Sequence, residues 1–238
     1  MLLGKNTHKY KNRRIRIVKK ITYQEIRENK DINLYIEKGN ENLGVLGFTE
    51  HSRAHAAKVA ETAGQILADL GYGEHEIELA KIAGYMHDLG NCVNRHDHAH
   101  HGALMAFQLL NQLGMPSEDI SIIIAAIGNH DEKTGTAIDV VSAALILADK
   151  TDVRRNRVRN TIPSTFDKHD QVNYAVLSSG LEINLEKKVI HLQTELDEEM
   201  CSVLDYFEIF LERMLMCRRA AEKLGLKFKM TANGSKVC

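Results

Sequence analysis

The sequence predicts a mainly α-helical fold with a small C-terminal α+β appendage. From residue 49 to about residue 159, apolar residues recur at helical spacing in segments separated by short joins, as in a compact helical bundle. After Pro163 the pattern changes to short β-rich stretches, followed by one long helical pattern. The expected divisions are a basic N-terminal arm and helix (1–48), a helical domain (49–160), and a small sheet with a long helix (161–238).

The composition narrows the class of protein. With 238 residues, 44% of them apolar, the chain can bury a sizeable core. Its formal net charge of −1 gives no overall positive potential that would attract nucleic acid or a membrane surface. No apolar run approaches the roughly 20 residues that a bilayer span needs, so no membrane partner is expected. The cysteines form no CxxC pair, which favours a reduced, cytoplasmic setting; they are Cys92, Cys201, Cys217 and Cys238.

The N-terminal segment over residues 1–21 carries eight lysines and arginines and no acid. We interpret it as a solvated arm or a short exposed strand, with an arm for nucleic acid or another anionic partner as the alternative. Thr22 and Glu25 match a capping box, which predicts a helix to about Lys38. A loop is then predicted from three glycines, Gly39, Gly44 and Gly47.

Five helices are predicted in the central region, each ended by glycine, proline or a capping residue. Their approximate ranges are 50–70, 74–88, 101–113, a helix capped by Ser117 that carries residues 120–127, and 138–151. In the C-terminal region, strands are predicted over 173–177, 181–185 and 189–192, forming a small antiparallel sheet with turns at 178–180 and 186–188.

A long helix capped by Asp197 is predicted to run to about Leu224, with a last strand over 226–230. Its apolar positions recur at helical spacing, so we expect them to pack in the core, with a homodimer face as the second possibility. They are Val203, Leu204, Phe207, Phe210, Leu211, Met214 and Leu215.

The adjacent pair His87-Asp88 is the most informative feature for function. Neighbouring helical residues diverge by about 100°, so both can bind one metal only at a helix end or distortion. Further ligands must then come from other helices, and His55 and Asp149 lie in such segments. Imidazoles with carboxylates favour a hydrolytic or redox metal over a structural cysteine-type zinc.

Three segments together resemble the HD superfamily of metal-dependent phosphohydrolases. They are His55 with the following Ala56-Ala57-Lys58-Val59-Ala60, then His87-Asp88-Leu89-Gly90, and then Ala148-Asp149-Lys150. The resemblance spans roughly residues 49–155. It implies an HD-type helical bundle in which the matching positions are metal ligands, namely His55, His87, Asp88 and Asp149.

Two further histidines are similar to elements of superfamily members with two metals. His98 precedes a Gly-Ala pair at residues 102–103, and His130 lies in Gly-Asn-His-Asp-Glu at 128–132. The resemblance implies one or two divalent ions (Fe, Mn, Co, Ni or Mg), two being favoured, with Asp88 as the bridging and catalytic carboxylate. The crowding of histidines leaves open which of His96, His98, His100 and His101 is the ligand.

The expected reaction is hydrolysis of a phosphoester or phosphoanhydride in a small phosphorylated, nucleotide-like substrate. His51 or Lys150 is the candidate leaving-group acid, and Arg154 or Arg155 the candidate phosphate-binding residue. Residues 133–136 lack the Gly-Tyr-Pro signature of the cyclic-dinucleotide phosphodiesterases, which disfavours that specificity. Residues 130–135 and 147–154 are loosely similar to the diadenosine tetraphosphate hydrolases.

Two other classes stay open. Some superfamily members use a di-iron site for oxygen chemistry, with nearly the same ligands. A metal-stabilised module that binds nucleic acid through the basic arm, without turnover, is the non-enzymatic alternative.

Overall fold

A computed structural model describes residues 20–238, so the predicted basic arm lies almost entirely outside the described residues. The mainly helical fold with a C-terminal α+β appendage is confirmed. Within the described range, no helix is both long enough and apolar enough to cross a membrane. The helices are α1 (Tyr23–Glu28), α2 (Lys30–Val45), α3 (Arg53–Asp69), α4 (Glu74–Met86), α5 (His98–Leu113), α6 (Ser117–Gly128), α7 (Val140–Lys150), α8 (Lys168–Ala175) and α9 (Val203–Lys223).

The N-terminal helical segment is divided in two. The capping box of Thr22 and Glu25 is present, but the chain turns at Asn29, whose side chain accepts hydrogen bonds from the first backbone N–H groups of α2. The predicted single helix to Lys38 and the loop from Gly39 are therefore wrong, since α2 continues through Gly39 and Gly44 to Val45.

The centre of the bundle is α7, which packs against α3, α4, α6 and α9. Its residues from Val141 to Ala148 are all buried, which explains an almost unbroken apolar run in that segment. The helix begins at a capping box between Asp139 and Ser142, two residues later than predicted. Because every face of α7 packs against other helices, the acid near its C-terminal end, Asp149, is only 12% exposed.

Close helix approaches bring the metal-ligand candidates together. Helix α4 ends at Met86, so His87 and Asp88 occupy a distortion between α4 and a short 3-10 helix, Leu89–Cys92. A Cβ at Gly84 would lie 2.7 Å from the Cα of Ala60, which allows α4 to contact the backbone of α3. A Cβ at Gly90 would lie 1.9 Å from the carbonyl oxygen of His98.

The start of α5 is therefore fixed against the His87-Asp88 turn. The helix begins at His98, three residues before the predicted start, directly after Asp97 in the left-handed region (φ 55°). Helix α6 begins at Ser117, although the capping position is Pro116.

The appendage differs from the predicted arrangement of strands. Its strands are β1 (Val176–Asn184), β2 (Val189–Leu196), β3 (Lys227–Ala232) and β4 (Ser235–Lys236), in the order β1-β2-β3-β4. Residues 173–175 belong to α8, whose first turn is capped by Asp167, and the predicted turn at 178–180 lies inside β1, paired with β2.

The sheet is mixed rather than antiparallel, because β2 and β3 pair in parallel. Helix α9 connects these two strands, and a crossover helix returns the chain in the same direction. The cap of α9 is Ser202 and not Asp197, since Ser202 accepts from the N–H of Asp205 and completes a capping box.

We predict that Gly90→Ala destabilises the protein by about 2 kcal/mol or more, because the new methyl group would push α5 away from the turn at His87. Urea unfolding measures this. The matched control is Gly180→Ala in β1, where a Cβ meets nothing within 4 Å and stability should stay at or above that of the parent. Equal stability of the two variants would contradict the close approach.

Candidate metal centre

Four histidines and two aspartates from separate segments converge in the interior. His55 lies on α3, His87 and Asp88 at the end of α4, His98 on α5, His130 after α6, and Asp149 on α7. All four histidines are at most 3% exposed. The structure thus brings together all six residues predicted as ligands.

The distances between ligand atoms are short. The Nε2 atom of His55 lies 3.4 Å from Oδ1 of Asp149, and Nε2 of His87 lies 3.2 Å from Oδ2 of Asp88 and 3.6 Å from Oδ1 of Asp149. Nε2 of His98 lies 3.7 Å from the other Asp88 oxygen, Oδ1. The two oxygens of Asp88 therefore face different histidines, as a bridging carboxylate requires.

The histidine rings share one orientation. A carbonyl oxygen can only accept, so Nδ1 must carry the proton where His87 bonds Gly84, His98 bonds Arg95 and His130 bonds Ile127, at 2.8, 3.2 and 2.6 Å. In His55 the Nδ1 atom bonds a carboxylate of Asp152 at 2.8 Å. Each ring consequently presents Nε2 to the centre.

A divalent cation fits these donors. Of the six ligand candidates, three have a buried ligand atom without a hydrogen-bond partner among the described residues: Nε2 of His55, Nε2 of His87 and Oδ2 of Asp88. The Nε2 atoms of His98 and His130 face each other at 3.1 Å, where two lone pairs repel unless a cation or a proton lies between them. Among the described residues, two donor groups have all ligand atoms within 4.8 Å: His55, His87 and Asp149, and His87, Asp88 and His130.

Burial and nearby charges also change the protonation of the ligand candidates. Burial alone would lower the pKa of His87, but the carboxylates of Asp88 and Asp149 outweigh it and raise the pKa to about 10. Burial lowers the pKa of His98 to about 4 and that of His130 well below its usual value. Despite burial, nearby positive groups hold the pKa of both aspartates well below the usual range. The two acids are thus ionised and His98 and His130 neutral, as metal binding requires, whereas His87 must release a proton when it binds a cation.

Asp152 is the most important contact that the sequence did not single out. Its carboxylate bonds Nδ1 of His55, while Arg154 donates to both of its oxygens at 2.7 and 3.0 Å. The buried Arg157 donates to its backbone carbonyl. A carboxylate behind a histidine orients the ring and raises its basicity. The available signal was its position three residues after Asp149.

Asn91 and Glu132 also support the centre. The amide of Asn91 donates to Oδ1 of Asp88 at 2.7 Å. Glu132 pairs with Lys150 at 2.9 Å and with Arg213 of α9 at 3.3 Å. Asn91 follows Asp88 by three residues, and Glu132 follows His130 by two. That short distance along the chain was the one indication in the sequence that they support the centre.

Lys150 is buried between two carboxylates, at 2.8 Å from Asp149 and 2.9 Å from Glu132. Burial would lower its pKa, but these acids raise it. This geometry suits holding Asp149 in place more than releasing a proton to a leaving group.

His51 lies beside the cluster, with its ring centroid 5.5 Å from that of His55. Its Nδ1 donates to the carbonyl of Thr49 at 2.8 Å, and burial holds its pKa well below the usual value. Of the crowded histidines, His98 reaches the centre, while the side chains of His96 and His100 are 84% and 54% exposed.

The predicted phosphate-binding arginines, Arg154 and Arg155, already have acidic partners in the structure. Arg154 is engaged with Asp152, and Arg155 bonds Asp197 and lies over the ring of Tyr174 at 4.5 Å. Both line a groove of about 520 Å³ between residues 153–161 and the start of β1. Their role in binding substrate stays a prediction.

Comparison with known proteins agrees with this geometry, since the HD domain family matches residues 53–154. The HD domain assigned by this match is residues 53–154, less than half of the chain. HD domains belong to the metal-dependent phosphohydrolase superfamily, whose members are generally metal-dependent hydrolases. The match includes helices α3 to α7 in full and all six ligand candidates.

Relatives of the HD domain include an uncharacterized protein of Methanocaldococcus jannaschii, 25% identical over 60% of this chain and 63% of its own length. Ribonuclease Y of Fervidobacterium nodosum is 31% identical over 48% of this chain and 22% of its own length. Ribonuclease Y of Thermosipho melanesiensis is 25% identical over 64% of this chain and 30% of its own length. The chain thus spans less than two thirds of each of these relatives.

We predict that Mn²⁺, Fe²⁺ or Co²⁺ at 100 times its dissociation constant raises the thermal midpoint by about 5–10 °C, because the cation binds only the folded centre. Differential scanning calorimetry with and without chelator measures the shift. His87→Ala and Asp88→Asn should lose it, whereas the exposed control His96→Ala should keep it. A shift that survives both ligand variants would contradict the assignment.

We predict that Asp152→Asn weakens metal affinity about 10- to 100-fold, because His55 loses the carboxylate that orients it. Isothermal titration of the metal measures the affinity. Arg154→Gln is the matched control, since it removes a partner of Asp152 but leaves the bond to His55. If the two variants bind metal equally, the bond between Asp152 and His55 does not support the site.

Proposed function

We propose that the HD domain hydrolyses a phosphoester or phosphoanhydride bond in a nucleotide-like substrate, with water as the nucleophile. The observation that carries this proposal is the convergence of four Nε2 atoms and two ionised carboxylates on one buried point. These residues would hold divalent ions, which when bound would lower the pKa of water and polarise a phosphoryl oxygen.

The donor set supports two ions of a first-row transition metal. Imidazole nitrogens suit iron, manganese, cobalt or nickel, whereas Mg²⁺ prefers oxygen ligands and water. The two oxygens of Asp88 face opposite halves of the cluster, with His55 and His87 on one side and His98 on the other. This arrangement supports Asp88 as the bridge in the proposed two-metal site.

The chain's own residues divide the remaining tasks. Lys150, Asn91 and Asp152 hold Asp149, Asp88 and His55 in their orientations. His51 is the better candidate for moving a proton, because Nδ1 is fixed on a carbonyl and exchange would occur at Nε2. Its lowered pKa keeps the ring neutral, so it would first accept a proton and then return it to the leaving group.

The nucleotide-like substrate has support from the relatives. Two of them are named as ribonucleases, and their similarity covers 48% and 64% of this chain. A phosphodiester between nucleotides is thus one candidate bond, and a nucleoside polyphosphate is another.

We predict that His87→Ala or Asp88→Asn lowers the rate of metal-dependent phosphate-ester hydrolysis at least about 100-fold. The reason is that a bound metal lowers the activation free energy by several kcal/mol, and these variants lose a metal ligand. The assay is a panel of nucleotides, dinucleotides and short single-stranded RNA with Mn²⁺, Fe²⁺ or Co²⁺, and His96→Ala is the control. Full activity in the ligand variants would refute the proposal. Oxygen uptake without ester cleavage would indicate a di-iron oxygenase instead.

A further inference from the structure

A guanidinium and an exposed aromatic ring lie together beside the candidate metal centre. The guanidinium carbon of Arg95 lies 5.6 Å from the ring centroid of Phe48. Phe48 is 42% exposed, and Arg95 is half-buried. Phe48 precedes His51 by three residues and Arg95 precedes His98 by three, so both segments lead directly into the centre.

Arg95 is connected to Asp88 through one side chain. It donates to Oδ1 of Asn91 at 3.3 Å, and the amide nitrogen of Asn91 donates to Oδ1 of Asp88 at 2.7 Å. The backbone carbonyl of Arg95 also accepts the Nδ1 proton of His98. The guanidinium therefore lies two hydrogen bonds from the proposed bridging carboxylate. Burial is the main cause of the lowered pKa of His51 and of His98, and the charge of Arg95 adds to it.

The charge of Arg95 is available for an anion. Within the described part of the chain, no carboxylate lies within 4.0 Å of its guanidinium, although five other arginines have such a partner. Those five are Arg53, Arg154, Arg155, Arg157 and Arg213. An arginine carries five N–H donors, and the bond to Asn91 uses one of them.

We propose that Arg95 and Phe48 bind the nucleotidyl unit next to the bond that is cleaved. Arg95 contacts its phosphate, and the exposed face of Phe48 stacks on its base. A ring that stacks on any base and a guanidinium that binds phosphate form the combination that recognises nucleotides with little base preference. This inference rests on the proposed phosphohydrolase function and adds the recognition element for its substrate.

The test compares two probes that differ only by the base, adenosine 5′-monophosphate and ribose 5-phosphate, by isothermal titration of the full chain as purified. Phe48→Leu should weaken binding of the adenosine probe about tenfold, the size expected when a base loses its aromatic partner, and that of ribose 5-phosphate less than about twofold. Phe48→Tyr should restore the parent affinity. The matched control is Phe107→Leu, whose ring on α5 is 48% exposed.

Arg95→Gln should weaken both probes about tenfold, because both carry the phosphate, and Arg95→Lys should restore part of the loss. A 5′-phosphorylated oligoadenylate of three residues forms a second arm. Binding tighter than that of the mononucleotide, with the same dependence on Phe48, identifies a nucleic-acid end as the ligand, and equal binding identifies a free nucleotide.

Two results would overturn the inference: no binding of the adenosine probe to the parent protein, or equal loss in Phe48→Leu and Phe107→Leu. These results are separable from failure of the proposed function. If hydrolysis depends on His87 and Asp88 but is indifferent to Phe48, the reaction stands and the recognition element fails. If binding depends on Phe48 and no ester is cleaved with any metal, the recognition element stands and the reaction fails.

Discussion

Two buried negative charges organise the centre of this protein. Asp88 and Asp149 lie in the interior as carboxylates, and a buried charge is costly unless it is paired and hydrogen-bonded. His87 lies between them, Lys150 pairs with Asp149, and Asn91 donates to Asp88. The surrounding helices approach closely enough to supply these partners only because glycine replaces a side chain at two contacts. The fold and the chemistry of the site therefore depend on the same few backbone contacts.

Most of the helical fold could be predicted, because apolar spacing and capping residues are local signals. The distortion at His87-Asp88 was also predictable, since one metal cannot be bound by neighbouring residues of a regular helix. The appendage was predicted less well. Two strands and the turn between them were expected over residues 173–185, where the chain forms the end of α8 and the single strand β1; the third expected strand, 189–192, lies within β2. The pairing of β1 with β2 overrides the turn-forming residues at 178–180, and the parallel pairing of β2 with β3 depends on a helix between them, so neither could be predicted from local sequence.

The site divides in the same way. The six ligand candidates could be named because the doublet and the resemblance identify them by type and spacing, and their side chains lie close together in the structure. Asp152 and Glu132 were missed because an acid that supports a histidine or a lysine looks like any surface acid until the partner's orientation is known. For the same reason the sequence could not show which arginines are free to bind a phosphate. Arg154 and Arg155 were favoured, yet both form ion pairs with aspartates, while Arg95 does not among the described residues.

The contact between Arg213 and Glu132 links the C-terminal region to the segment that holds the metal-ligand candidates. The HD match ends at residue 154, and everything beyond it could be regarded as an independent attachment. Yet Arg213 lies on α9, and through Glu132 and Lys150 it reaches Asp149. A fragment cut at the family boundary would keep every donor atom and lose part of the charge balance that keeps them in place. The C-terminal region and the candidate metal centre are thus connected by ion pairs, and a substitution that removes Arg213 should alter the charge around Asp149.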